Sequence, residues 1–303
     1  MRRIIDSHAH LGDIFHENKN ITFKTNIKKG DYEDPFIECE RSGYTKPLIV
    51  ENETDLDHLI NAGQYRCWEW TLENCSKEMN EYHVNYAVML PIWPNTTFEE
   101  YLAASKLDQR IIPFTSAVFS LDIPEMVSKL KRDIDKGARG LKLHPTLQNM
   151  PLDAPKTEAA VRVFGEAGLP IVTHTGANPY YTKEKSYFPT NPMYSEASKV
   201  FEFCHKFPDF NIICAHCGGM PEQFYEAVKD LKNVYTDTTM CSAEAMRKAV
   251  ELLGPDKLLF GTDVPFGSFK YSIAECEKAF TDEPEIADMC FYKNIARLIQ
   301  LSE

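Results

Sequence analysis

The feature that most constrains this chain is a short β-rich run followed by an amphipathic stretch, repeated eight times. The runs lie at residues 4–8, 85–90, 110–115, 139–144, 170–174, 211–216, 234–237 and 257–261. Each is bounded by Gly, Pro or Asn, as short buried strands are. Between them apolar residues recur at helical spacing, as in Ile123, Met126, Val127, Leu130 and Ile134. Ala159, Val163, Phe164 and Ala167 repeat the pattern, and so do Phe224, Val228 and Leu231. Asp122 is placed to cap the first of these helices and Gly137 to stop it. Strands alternating with helices predict an α/β protein with a parallel sheet covered by helices. Eight repeats predict closure into a (β/α)8 barrel. An open doubly wound sheet fits less well, because no Gly-rich phosphate fingerprint follows any strand. A barrel of this length folds as one domain, here residues 1–303.

One gap breaks the rhythm. Residues 13–52 are polar and irregular, with Asn18, Lys19 and Asn20 followed by Lys28, Lys29, Gly30 and Asp31, and the pattern turns helical from Glu53 to His83. We read 13–52 as an insertion in the loop after strand one, on the barrel face that carries active sites. A lid, a substrate-recognition element or an oligomer contact are the roles open to it.

The formal charge of −12 argues against a nonspecific nucleic-acid binder, which needs a basic face to neutralise phosphate. No secretory signal and no apolar run of membrane-spanning length stand out. The nine cysteines follow no disulfide framework and predict reduced thiols, so the expected setting is the cytoplasm and the expected partner a small-molecule substrate. A homo-oligomer stays open. Cys214 and Cys217 have C-x-x-C spacing, but without a second pair they read as packing residues.

His8 and His10 stand two apart on the first strand, where alternate residues share a face and suit two ligands on one cation. His144, His174 and His216 each end a predicted strand, and Asp263 follows the last. Parallel barrel strands all end at one mouth, so these distant residues converge. His16, His58, His83 and His205 fall in loops or on amphipathic segments and read as surface or helix residues. The aromatic run Tyr180, Tyr181, Tyr187, Phe188 and Tyr194 is placed either to wall a pocket or to pack as a long loop. Asp6 shares the parity of the two histidines and suits a partner that orients an imidazole, or a buried carboxylate held by backbone. Asp237, ending strand seven, suits the orientation of another site group.

The opening Ile5-Asp6-Ser7-His8-Ala9-His10 resembles that of amidohydrolase-superfamily barrels. The blocks Gly140-Leu141-Lys142-Leu143-His144-Pro145, His174-Thr175-Gly176, Ala215-His216-Cys217-Gly218-Gly219 and Leu259-Phe260-Gly261-Thr262-Asp263-Val264-Pro265 are similar to the amidohydrolase-related subgroup. That subgroup comprises TIM-barrel metal-dependent hydrolases together with aminocarboxymuconate-semialdehyde and resorcylate-type decarboxylases. The resemblance implies one divalent ion, zinc first with manganese or iron as alternatives, held by His8, His10, His174 and Asp263. It makes His216 an acid/base beside the ion, with Asp263 sharing the proton transfer. A strand-four lysine is carboxylated and bridges two metals in some superfamily members; in this subgroup one metal is expected, so Lys142, like His144, is assigned to the substrate. Hydrolysis of a small ester, lactone or amide by activated water is the leading expectation. Nonoxidative decarboxylation of an unsaturated or aromatic acid is the rival, and a non-catalytic binding barrel comes third.

Overall fold

The computed structural model describes residues 2–16, 19–25, 33–181, 189–216 and 222–301. The β-rich runs form parallel strands β1 (Ile5–Ala9), β2 (Tyr86–Met89), β3 (Ile111–Pro113), β4 (Thr115–Ser116), β5 (Leu141–Leu143), β6 (Ile171–Thr173), β7 (Ile212–Cys214), β8 (Val234–Asp237) and β9 (Leu258–Leu259). The third predicted strand is split in two. Pro113 has no N–H to donate, and at Phe114 the chain changes neighbour. Phe114 N–H still bonds the Met89 carbonyl of β2, whereas Thr115 N–H already bonds Gly140 at the start of β5.

β1 to β3 are consecutive neighbours, and so are β4 to β9. The ring closes between the last strand and the first. Ser7 N–H donates to Phe260 O at 2.8 Å, Asp263 N–H to His8 O at 2.8 Å and His10 N–H to Val264 O at 2.9 Å. The predicted (β/α)8 barrel is the fold of this chain.

Helices cover the ring: α1 (Pro35–Arg41), α2 (Glu53–Glu69), α3 (Leu72–Glu81), α4 (Phe98–Leu107), α5 (Ile123–Asp135), α6 (Pro155–Glu166), α7 (Ala197–Lys206), α8 (Glu222–Val228), α9 (Ala243–Leu253) and α10 (Phe269–Ala279). They are followed by α11 (Pro284–Asp288), a π-helical turn and α12 (Asn294–Leu298). Asp122 caps α5 by accepting the Glu125 N–H at 2.8 Å, and Gly137 follows its end at φ 112°. Residues 13–52 are less irregular than the sequence suggests. They contain a 3-10 turn, Lys19–Thr22, and α1, which Asp34 caps by accepting the Phe36 N–H. With seven residues, α1 is too short for helical periodicity to register.

Three apolar clusters position the site. One packs Leu141, Ile171, Ile212 and Val234 against the helices through Met126, Leu130, Phe164 and Val200. A second joins Ile5, Val88, Ile112, Val172, Ile213 and Leu259 to Ile295 and Leu298 of α12. The third gathers Phe15, Phe36, Ile92, Leu147, Tyr181 and Phe266 from segments that follow strand C-termini. At that end the candidate residues meet. No described helix is long and apolar enough to cross a membrane.

Candidate metal centre

β1 delivers His8 and, one residue past its end, His10, with their rings 5.3 Å apart and both buried. The pairing register with β2 is irregular between Asp6 and Ala9, so strand alternation alone does not set their directions. Hydrogen bonds do. His10 Nδ1 lies 2.7 Å from the Leu90 carbonyl, which can only accept, so the ring proton is on Nδ1. His8 Nδ1–H donates to Asp237 Oδ2 at 2.8 Å. Both rings therefore turn an Nε2 lone pair inward.

Asp263 meets those lone pairs. Its Oδ1 is 3.5 Å from His8 Nε2 and 3.2 Å from His10 Nε2. Four ligands at about 2.1 Å in a tetrahedron are about 3.4 Å apart, so these spacings match donors converging on one ion. One donor atom from each of His8, His10 and Asp263 falls within 4.8 Å of the others, and all three residues are buried. The donor set and the tautomers fit a divalent cation. Burial opposes charge on Asp263, but His8, His10 and His216 outweigh it and hold the carboxyl down at about 2. Burial, then Lys142, push His8 down to about 3, against the pull of Asp237 and Asp263, which keeps the imidazole neutral as a ligand must be.

His174 stands apart from this triad. Its ring stacks on His144 at 4.1 Å and 6°, and its Nε2 bonds the Tyr180 hydroxyl at 2.8 Å. Burial, then the neighbouring imidazole of His144, push its pKa well down. The structure thus brings together three of the four expected ligands and turns the fourth toward Tyr180. His144 Nδ1 accepts the Leu147 N–H at 3.2 Å, which leaves its own proton on Nε2.

His216 lies at the rim with its side chain 20 % exposed, its ring 5.0 Å from His8 and 4.8 Å from His174. The Thr239 hydroxyl donates to Asp237 Oδ1 at 2.8 Å and so accepts from His216 Nδ1–H at 2.7 Å. The free lone pair of His216 is on Nε2. His216 and Asp263 hold left-handed backbone at φ 64° and 60°, which is uncommon for residues with a Cβ.

Lys142 is buried on β5, and its Nζ is 3.4 Å from His8 Nε2. Burial pushes it down to about 8, against the attraction of Asp263 and Asp237. The lysine and an ion would draw on the same His8 lone pair.

Asp6 does not orient a ring. Its carboxylate accepts the backbone N–H of His8, the N–H of Thr262 and the Thr262 hydroxyl, so it ties β1 to the closing segment. Asp237 bonds the His8 ring instead. Strand parity marks which carboxylates point inward, but not which one reaches Nδ1. His16 is half-buried rather than a surface residue and bonds Gln64 at 2.7 Å, whereas His58, His83 and His205 are exposed. Tyr180 contacts both His144 and His174. Tyr187, Phe188, Cys217 and residues 26–32 lie outside the described residues. Sequence reasoning missed Thr239 and the Leu90 carbonyl; neither carries a signal in residue type or spacing.

The sequence matches the amidohydrolase family over residues 71–301, and the chain belongs to that family. The match takes in His144, His174, His216 and Asp263 and begins after β1. No curated protein matches. Among solved structures, the chain is similar to 5-carboxyvanillate decarboxylase from Sphingomonas paucimobilis, with TM-score 0.66, 13 % identity and 100 % of both chains covered. It is also similar to a dihydroxybenzoic acid decarboxylase from Polaromonas sp. JS666 with bound manganese and 2-nitroresorcinol, with TM-score 0.67, 13 % identity and coverage of 100 % of this chain and 98 % of that one. A probable 2-pyrone-4,6-dicarboxylic acid hydrolase from Acinetobacter baumannii aligns at TM-score 0.62 and 12 % identity, over 99 % of this chain and 100 % of that one. These likenesses establish the fold.

Proposed function

We propose that the chain is a divalent-metal-dependent hydrolase of a small ester, lactone or amide. The observation that carries this reading is the divided Asp263 carboxylate. Its Oδ1 faces the two ligand nitrogens, while Oδ2 faces the rim 3.8 Å from His216 Nδ1. His8, His10 and Asp263 would hold a divalent ion, which would supply a Lewis acid there and make a nearby water easier to deprotonate. Zinc suits two imidazoles and a carboxylate, and manganese or iron accept the same donors. Asp263 is ionised and accepts the proton of the attacking water. His216, neutral because burial lowers its pKa, takes that proton over from Asp263 on Nε2 and returns it to the leaving atom. The His144 Nε2–H and Lys142 face the substrate.

A second reading, nonoxidative decarboxylation of an aromatic or unsaturated acid, has its own support. Phe266 packs 6.3 Å from His10, Phe15 lies 5.4 Å from Phe266, and Tyr180 is 5.9 Å from Phe15, an aromatic wall suited to a planar ring. Two of the similar structures are decarboxylases of aromatic acids. Here His216, once protonated on Nε2 by solvent at the rim, passes that proton to the ring carbon as the carboxyl leaves as carbon dioxide, and Lys142 faces the carboxylate.

The test is turnover by the zinc- or manganese-loaded protein of a panel of lactones, esters, amides and phenolic acids, with acid release and carbon dioxide followed in parallel. Acid release without carbon dioxide is expected. Carbon dioxide without hydrolysis would replace the first reading by the second. A protein that purifies without metal and is not activated by it would be a binding barrel. His216→Asn is expected to lower turnover about 100- to 10,000-fold while the metal content stays at the wild-type level.

A further inference from the structure

Arg66 lies in the last turn of α2, where an arginine ordinarily faces solvent, yet its side chain is only 12 % exposed. Its Nε donates to Asp34 Oδ2 at 2.8 Å, and its Nη1 to Glu40 Oε1 at 2.7 Å. The guanidinium also stacks 4.9 Å from the Phe36 ring. Two carboxylates and an aromatic face thus fix the group in one orientation. Nη1, with one of its two N–H groups shared between acceptors, also donates to the carbonyls of Pro265 and Phe266, each at 3.0 Å.

Those carbonyls belong to the turn that starts at Asp263. Asp263 is in left-handed backbone, and its own carbonyl accepts the Phe266 N–H at 2.8 Å and the Gly267 N–H at 3.2 Å. The turn is tight: a Cβ at Gly267 would lie 2.1 Å from the Thr262 carbonyl. The ring of Phe266 packs on His10 and on Phe36. A group that fixes the Pro265 and Phe266 carbonyls therefore fixes the direction of the Asp263 carboxylate on one side and supports the His10 ring on the other.

We propose that Arg66 is a positioning residue of the metal centre: held by Asp34 and Glu40, it clamps the Pro265 and Phe266 carbonyls and so sets Asp263 against His8 and His10. This rests on Asp263 being an ion ligand. It gives α1 and the residues around it a task in the site, because Asp34 both caps α1 and holds the Arg66 Nε. The rigid fork of arginine reaches two carboxylates and two carbonyls together, which a lysine ammonium cannot do.

The experiment loads the full chain with Co2+ and measures its dissociation constant by chelator competition, its visible absorption and the Tm of the metal-free protein. The variants are Arg66→Lys, Asp34→Asn, which keeps an oxygen to cap α1, and Asp263→Ala. Arg66→Lys is expected to weaken Co2+ binding about 10- to 100-fold and to change the absorption bands, with the metal-free Tm close to wild type. Asp34→Asn is expected to lie between the two. Wild-type affinity and spectrum in both variants would overturn the proposal. So would loss of affinity that merely scales with loss of metal-free Tm, since Arg66 would then be a structural strut. Asp263→Ala separates the premise from the proposal: if it binds Co2+ like wild type, the ligand assignment fails and Arg66 has nothing to position.

Discussion

Asp237 Oδ2 accepts from His8, while its Oδ1 accepts the His216 N–H at 3.0 Å and the Thr239 hydroxyl, so one carboxylate sets the proton positions of two imidazoles. Burial works against its charge, but the hydrogen bonds from the His8 ring and the His216 backbone N–H keep it ionised far below the usual carboxylate range. In Asp237→Asn, the one amide oxygen cannot serve both sides. Where it stays with His216 and Thr239, the amide NH2 faces His8 Nδ1 and drives the His8 proton to Nε2, onto the lone pair meant for the ion. Zinc affinity is expected to fall about 10- to 100-fold, as outer partners of metal-bound histidines usually show. Competition with a chromophoric chelator measures it, and an unchanged dissociation constant would refute the role. The residue types that could form this site were legible in the sequence, because parallel strands deliver His8, His10, His216 and Asp263 to one mouth. The proton positions were not, since they depend on Leu90, Thr239 and Asp237 lying opposite particular nitrogens. The stacking of His174 on His144 was equally invisible to spacing.

At the scale of elements, alternation and punctuation were enough to locate the strands, and the Asp122 cap enough to start α5. What escaped was local chemistry that overrides pattern: Pro113 dividing one strand into β3 and β4, and a short capped helix, α1, amid polar residues. A similar local device joins α3, α4 and β3. Asp108 ends α4, takes the Ser76 hydroxyl of α3 at 2.6 Å, and pairs with Arg110 through Nε at 3.0 Å and Nη2 at 2.7 Å. The Arg110 bond, opposed by burial and helped by Ser76, lowers the carboxyl from 3.8 to about 2. A folded value below the unfolded one adds stability above about pH 4 that is lost as pH falls through about 2. Discounted for partial exposure, the contribution is about 1 kcal/mol. Asp108→Asn is expected to cost that much in urea unfolding at pH 7, with the gap to wild type narrowing from pH 4 downward. A gap that does not change with pH would mean that the carboxylate charge is not what holds the corner.

For the whole molecule, the candidate metal centre lies on the seam where the barrel closes. His8 and His10 come from the first strand and Asp263 from the segment after the last, and backbone bonds from Asp263 N–H to His8 O and from His10 N–H to Val264 O join the same two segments. An ion held there would tie together the two ends of the sheet, which are far apart along the chain. It binds the folded state alone, because the unfolded chain does not bring these donors together. At a free concentration about 100 times its dissociation constant, such an ion stabilises the fold by about 2.7 kcal/mol. For a chain of 303 residues each kcal/mol moves Tm by about 1.6 °C, so chelation is expected to lower Tm by roughly 4 °C. Re-addition of zinc or manganese restores it, whereas magnesium, which prefers an all-oxygen shell, does not. Scanning calorimetry with and without chelator measures the shift, and Asp263→Ala should abolish it. A protein that demonstrably takes up zinc at this site, yet melts at the same temperature with and without it, would show that the ion adds nothing to the closing seam.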